Sequence, residues 1–170
     1  SSKAQKSRRQ SHITEADTIA CVDLFCGAGG LTHGLLGAGI DVRAGVDNEE
    51  VCRHPYETNH RGIQFHCADV AELNASTVEQ WFGSATIRVL AGCAPCQPFS
   101  TYAMRYQKIE QIQDDRRWSL LNHFARLVRE LRPDIVTMEN VPTITRHIIF
   151  TSFKDTLEQL GYQVWVSVVD

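Results

Sequence analysis

The sequence has no apolar run approaching the roughly 20 residues that cross a bilayer. Its amino end, Ser1 to His12, is polar and basic where a secretory signal would be apolar. A surplus of positive charge is missing too: 17 Lys and Arg face 20 Asp and Glu, a net charge of −3. Four of those basic residues and no acidic one fall in residues 1–12, leaving 13 against 20 elsewhere. That balance gives no electrostatic sign of a nucleic-acid partner. There is no GxGxxG, which argues against a dinucleotide pyrophosphate site and a nicotinamide dehydrogenase. Cys93 and Cys96 have the spacing of half a zinc site, but no second CxxC or His pair follows, so no metal is expected. The seven histidines show no ligand spacing.

What is present reads as one folded domain. Hydrophobic residues are 43% and charged residues 22% of 170, which excludes disorder and fibrous repeats and suffices for one sizeable core. Six cysteines would suggest disulfides in a small secreted protein. Here Cys21, Cys67 and Cys93 lie in or beside apolar, strand-like runs, where a free thiol acts as a small core hydrophobe. The setting expected is reducing and intracellular, cytoplasmic rather than membrane-bound.

Residues 1–17 read as a flexible basic leader. Thr18 to Phe25 is a buried strand opening into the glycine turn Cys26-Gly27-Ala28-Gly29-Gly30, with a helix expected over Leu31 to Leu36. Further strands are expected at Ile40 to Val46, Ile63 to Ala68, Ile87 to Ala91, Ile135 to Met138 and Gln163 to Val169. Helices are expected at Glu49 to Thr58, interrupted by Pro55, at Thr77 to Phe82, and at Thr151 to Leu160 before Gly161. Between Trp118 and Leu131 the residues Leu120, Leu121, Phe124, Leu127, Val128 and Leu131 recur at spacings of 3 and 4, an amphipathic helix. The alternation predicts an α/β domain with a mainly parallel sheet. Ligands of such sheets bind outside the carboxyl ends of the strands. Those ends are where the unusual residues fall: the glycines, Asp47, Asp69, the Cys96 loop and Glu139.

A glycine turn lets backbone approach a ligand and frees amides at a helix start, although a purely structural turn has the same residues. Asp47, twenty residues beyond Gly27, stands where a carboxylate accepts hydrogen bonds from a ribose. Together they favour a nucleoside-bearing cofactor. Cys96 lies on a proline-stiffened loop after a strand, a nucleophile's position, but a thiol of pKa about 8.5 needs local activation. Glu139 follows an apolar strand, where partial burial would raise its pKa and make it a proton donor. Arg126, Arg129 and Arg132 read as a solvated helix face, whereas Arg105, Lys108, Arg116 and Arg117 flank a polar loop and suit phosphates.

Three motifs then stand in order: Asp23-Leu24-Phe25-Cys26-Gly27-Ala28-Gly29-Gly30, Pro95-Cys96-Gln97-Pro98-Phe99-Ser100 and Glu139-Asn140-Val141. Together they closely resemble the DNA (cytosine-5)-methyltransferase family over residues 19–170, with Asp115 to Pro133 matching its arginine–leucine helix. The resemblance implies a Rossmann-like, S-adenosylmethionine-dependent methyltransferase fold for residues 18–170, with S-adenosylhomocysteine as product and cytosine in double-stranded DNA as substrate. It implies that Phe25 stacks near the adenine, and that Ala28, Gly29 and Gly30 form the turn near the methionine portion. Asp47 would hold the ribose, Asn48 would neighbour the adenine, Asp69 and Val70 would bind its edge, and Pro95 and Leu120 would line the pocket. Cys96 would be the nucleophile and Glu139 the group on the cytosine's N3 and amino edge.

This chain departs from the family at Cys93, usually glycine, at Ala94, usually proline, and at Trp118 and Ala103, both usually glycine. A tRNA cytosine-5 methyltransferase and a non-catalytic cofactor- or DNA-binding subunit remain alternatives. Family members continue past the sixth strand into a final strand and a target-recognition domain. The expectation is therefore a chain completed by a carboxyl-terminal remainder or a second subunit.

Overall fold

A computed structural model describes residues 17–95 and 116–169, with the side chains of 116–118 excepted. Cys96, Ala103, Arg105 and Lys108, and the side chains of Arg116, Arg117 and Trp118, therefore lie outside the described residues, as does the leader up to residue 16. The chain runs β1 (Ile19–Leu24), α1 (Gly30–Gly37), β2 (Asp41–Asp47), a 3₁₀ turn (Glu50–Cys52), α2 (Arg53–Asn59) and β3 (Gln64–Cys67). It continues through α3 (Ala75–Phe82), β4 (Ile87–Gly92), α4 (Arg116–Leu131), β5 (Ile135–Met138), a 3₁₀ turn (Pro142–Arg146) and α5 (Ile148–Gln159).

The five strands form one sheet in the order β3-β2-β1-β4-β5, and every pairing is parallel. Parallel strands need crossovers, and helices supply them, covering both faces. Consecutive β1 residues show the division. Ala20, Val22 and Leu24 pack with α3, α4 and α5 through Val78, Phe82, Phe124, Leu127 and Phe153. Cys21 packs on the other face with Val42, Val89, Leu31 and Leu35. In β2 the register slips by one residue between the Cys21–Val42 and Val22–Ala44 pairs. Val42 and Ala44 consequently belong to opposite clusters despite their even spacing.

Local chemistry sets the helix ends. Pro55 is the third residue of α2, within a first turn whose N–H groups have no intrahelical partner, so it is accommodated rather than disruptive. Asn74 caps α3 by accepting the Ser76 amide at 2.9 Å. Gly161 (φ 94°) closes α5 as expected, with its amide on Glu158 and the Tyr162 amide on Leu157. α5 starts three residues earlier than the sequence suggests, directly behind the Pro142–Arg146 turn.

The expected sixth strand is not formed. Residues 163–169 follow α5 without a ladder partner, and Trp165 and Val169 are 82% and 84% exposed. Their β-branched and aromatic composition favours extended backbone, but a strand exists only where another strand takes its hydrogen bonds, and β5 pairs with β4 alone among the described residues. The Tyr162 hydroxyl donates to the Pro133 carbonyl and tethers the start of this segment beside β5.

Two glycines show how tightly the sheet is covered. At Gly45 a Cβ would clash with the phenol end of Tyr56, which is fully buried, whereas at Gly37 it would meet nothing within 4 Å. Gly45→Ala should destabilise the domain by about 1–3 kcal/mol through overpacking. Gly37→Ala, at a helical position with open space, should stabilise it by about 0.5 kcal/mol. Urea unfolding of both variants tests the pair, and equal effects would contradict this packing.

Candidate functional site

Because all strands are parallel, their carboxyl ends share one rim, and the order reverses between β1 and β4. The loops after these two neighbouring strands, the glycine turn and the segment leading into Cys96, therefore flank the switch point where such sheets bind ligands.

The glycine turn is shaped by a buried support. Asp23, at 0% exposure, accepts the Thr32 hydroxyl of α1 at 2.6 Å, and Thr32 Oγ1 lies 3.0 Å from the Tyr56 hydroxyl of α2. His60 packs beside Tyr56 with Nδ1 2.9 Å from the Tyr56 carbonyl. A Cβ at Gly29 (φ 95°) would collide with the His60 ring. Gly29 is thus buried by its support, while Gly27 and Gly30 face open space and Ala28 is exposed. Phe25 holds φ 58°, rare for an aromatic residue, half-buried and edge-on to Phe124 at 6.5 Å.

Asp47, ending β2, accepts the Gly27 amide at 2.9 Å through Oδ2 and the Glu49 amide at 3.0 Å through Oδ1. It locks the turn to the next strand while leaving acceptor capacity on each oxygen. Asn48 is exposed, its carbonyl 3.6 Å from Cys67 Sγ. Asp69 is exposed and holds the Ala71 amide at 2.8 Å, whereas Val70 is buried in the core. Pro95 and Leu120 are half-buried.

On the other side of the switch point, β5 binds the segment before Cys96. The Glu139 amide donates to the Gly92 carbonyl at 3.2 Å. Asn140 Nδ2 donates to the Ala94 carbonyl at 2.9 Å while its Oδ1 takes the Val141 amide. Cys93 Sγ lies 2.9 Å from Glu139 Oε2 as donor. Glu139 is exposed, so the expected partial burial of its carboxyl is not found: the strand before it is apolar, but its own side chain projects beyond the sheet.

The sequence profile of the C-5 cytosine-specific DNA methylases matches residues 19–170. The chain belongs to this family. It is 43% identical over 153 residues to the type II methylase M.HgiDII of Herpetosiphon aurantiacus, across 88% of this chain and 41% of that protein. With the type II methyltransferase M.XorII of Xanthomonas oryzae it shares 33% over 150 residues, across 84% of this chain and 34% of the relative. An E. coli prophage protein, described with its structure as a DNA modification methyltransferase, superposes with a TM-score of 0.65 at 30% identity, over 85% of this chain and 38% of that one. The chain thus spans well under half the length of these relatives.

Several features of this methylase domain escape sequence reading. Cys67 is exposed rather than in the core, because β3 is an edge strand and ends there. Cys93 is only partly buried, facing Glu139 instead of the core. Arg126 and Arg129 are not simply a solvated face: Arg126 reaches three carbonyls beyond β3, and Arg129 donates to Thr156 of α5. Arg132 donates to the Leu160 carbonyl. His60, with no motif to mark it, supports the glycine turn. Among the described residues no group of acidic, His and Cys side chains is arranged to hold a metal, and no helix is long and apolar enough to cross a membrane.

Burial raises the Asp23 carboxyl from its ordinary 3.8 to about 6, with the Thr32 hydrogen bonds pulling the other way. The folded state therefore holds a proton that the unfolded chain releases between pH 4 and 6. This contribution to stability is complete below pH 4 and lost as pH rises through 6, about 3 kcal/mol in all. Asp23→Asn, which keeps an acceptor for Thr32 without a titrating charge, should gain on wild type as pH moves from 4.5 to 7.5. Urea midpoints at both values test this, and an unchanged gap between the two proteins would refute it.

Proposed function

We propose that this chain is the cofactor-binding and catalytic part of an enzyme that methylates C5 of cytosine in duplex DNA, with S-adenosylmethionine as donor. The observation that carries the reading is the bonding of Cys93 and Ala94, just ahead of Cys96, to Glu139 and Asn140. It ties the two motifs that the chemistry needs together to the same end of the sheet.

The rim suits the cofactor. Gly27 and Gly30 leave open space for close approach, Phe25 offers a half-buried ring for the adenine, and the Asp47 and Asp69 carboxylates stand on adjacent strand ends as acceptors for ribose hydroxyls and the adenine amine. Asn48 and the Val70 backbone would complete the base pocket, with Ala28, Gly29, Pro95 and Leu120 along the methionine side. When bound, S-adenosylmethionine supplies an electrophilic sulfonium methyl.

Cytosine C5 is a poor nucleophile within an aromatic ring. The Cys96 thiolate would add to C6, forming the S–C bond and shifting electron density to C5 as an enamine carbon. Glu139, giving a proton to N3 and accepting the amino N–H, would stabilise the charge that develops, and the Cys93 thiol takes one acceptor site of Oε2, leaving Oε1 and the other site of Oε2 for the base. After methyl transfer, a base, either water or a group of the intact protein, would take the C5 proton as the C6–S bond breaks and the Cys96 thiolate leaves, restoring the ring. C6 is inaccessible within the stack, so the base must be turned out of the helix.

The β5 edge and the exposed Trp165, Val166, Val168 and Val169 would accept further polypeptide, a carboxyl-terminal remainder or a second subunit bearing target recognition. The family's description as DNA methylases and that of the E. coli prophage protein favour DNA over tRNA, and the relatives' designation as type II methylases suits a restriction–modification setting, which would place the enzyme with the DNA inside the cell. In the intact protein, Cys96→Ala should abolish methyl transfer to duplex DNA and covalent trapping on 5-fluorocytosine duplexes, while cofactor binding persists. Methylation by the variant at the normal rate would overturn the proposal; transfer to tRNA but not DNA would replace its substrate.

A further inference from the structure

The turn between β3 and α3 is held by one side chain from a distant part of the sequence. Arg126 of α4 directs Nη2 at the carbonyls of Val70 (3.0 Å), Leu73 (3.0 Å) and Ala71 (3.4 Å). Its Nη1 donates to Glu130 Oε2 at 3.0 Å, one helical turn on, which fixes the plane of the guanidinium. The turn also has internal form: Asp69 Oδ1 takes the Ala71 amide and the Asp69 carbonyl takes the Glu72 amide. A unit already shaped in this way can still shift as a whole. Arg126 sets where it sits relative to the sheet rim. Three carbonyl dipoles converging on one point repel each other, and a planar, permanently charged donor holds them as a smaller or neutral side chain cannot.

We infer that Arg126 is a positioning residue for base recognition in the nucleoside pocket, fixing the Asp69–Val70 turn against the adenine edge. The inference rests on the reading of Asp69 and Val70 given under Proposed function. Adenine presents an amine donor beside a ring-nitrogen acceptor, and hypoxanthine reverses both. An exposed carboxylate such as Asp69 favours the amine and repels the hypoxanthine oxygen, but only when held in place. Releasing the turn should therefore cost discrimination between the two bases, whereas a mere brace of the fold would weaken both nucleosides alike.

Calorimetric titration of the intact protein with S-adenosylhomocysteine and S-inosylhomocysteine separates these cases. Wild type should prefer the adenine compound by at least ~10-fold, since a mismatched polar edge leaves groups unpaired. Arg126→Met, which keeps the aliphatic stem, should raise the Kd for S-adenosylhomocysteine by about 10-fold and leave the inosine compound within about 2-fold. Its KM for S-adenosylmethionine should rise while kcat at saturation stays within about 2-fold of wild type. Arg126→Lys, which retains one charge, should fall between, and it decides the matter if the Met variant does not fold. Equal weakening of both compounds, or an undiminished adenine preference, would overturn the inference and leave the cofactor reading intact. Wild type that binds neither compound would sink both.

Discussion

The buried chain of hydrogen bonds that links Asp23 to Thr32, and Thr32 to Tyr56, is the constraint on which the rest of the rim depends. It joins the last turn of a central strand to the helices on either side of β2, with no water-exposed member. A carboxyl at zero exposure is expensive, and its second oxygen has no hydrogen-bond partner in the described structure. The fold accepts that cost at the strand end immediately before the glycine turn. Tyr56 is the keystone of the arrangement, filling the space that Gly45 leaves open, contacting the Thr32 hydroxyl and carrying His60 against Gly29. Two glycines far apart in sequence thus answer to one aromatic side chain and its neighbour.

From that support the strand order does the remaining work. β1 and β4 are neighbours although two strands and three crossovers separate them in sequence, so the glycine turn and the approach to Cys96 emerge side by side. β2 and β3 extend the rim one way and supply Asp47 and Asp69; β5 extends it the other way and supplies Glu139 and Asn140. Carboxylates on one flank suit the hydroxyls and amine of a nucleoside. The amide and carboxylate on the other flank grip the segment ahead of the thiol. The domain's net negative charge outside residues 1–12 is compatible with this division, since none of these contacts asks the domain itself to hold the DNA backbone.

The strands and helices were legible because their signals are local. Apolar runs closed by glycine mark β1 and β4, and the spacing of Leu120, Leu121, Phe124, Leu127, Val128 and Leu131 marks α4, all of them buried except the half-buried Leu120. The rim residues were legible because chemistry-bearing side chains follow those runs. What could not be read is decided by partners distant in sequence. Residues 163–169 have a strand's composition without a strand's partner, Cys67 is exposed because β3 lies at an edge, and Glu139 projects past an apolar strand into solvent. Arg126 looks like any helix-surface arginine until the carbonyls of Val70, Ala71 and Leu73 are found around it.

The departures from the family pattern at Cys93 and Ala94 can be understood in the same terms. A glycine is indispensable where φ is positive or where a Cβ has no room; Cys93 has no positive φ, and its side chain has room to reach Glu139. Gly92, one residue earlier, meets the second demand, because a Cβ there would approach the Phe124 ring at 3.0 Å and the Leu24 carbonyl at 3.4 Å. Ala94 is buried and contributes its carbonyl to Asn140, a contact made by the backbone and therefore indifferent to the change from proline. The substitutions thus leave the attachment of this loop to β5 intact, and they add to it a polar contact that glycine could not make.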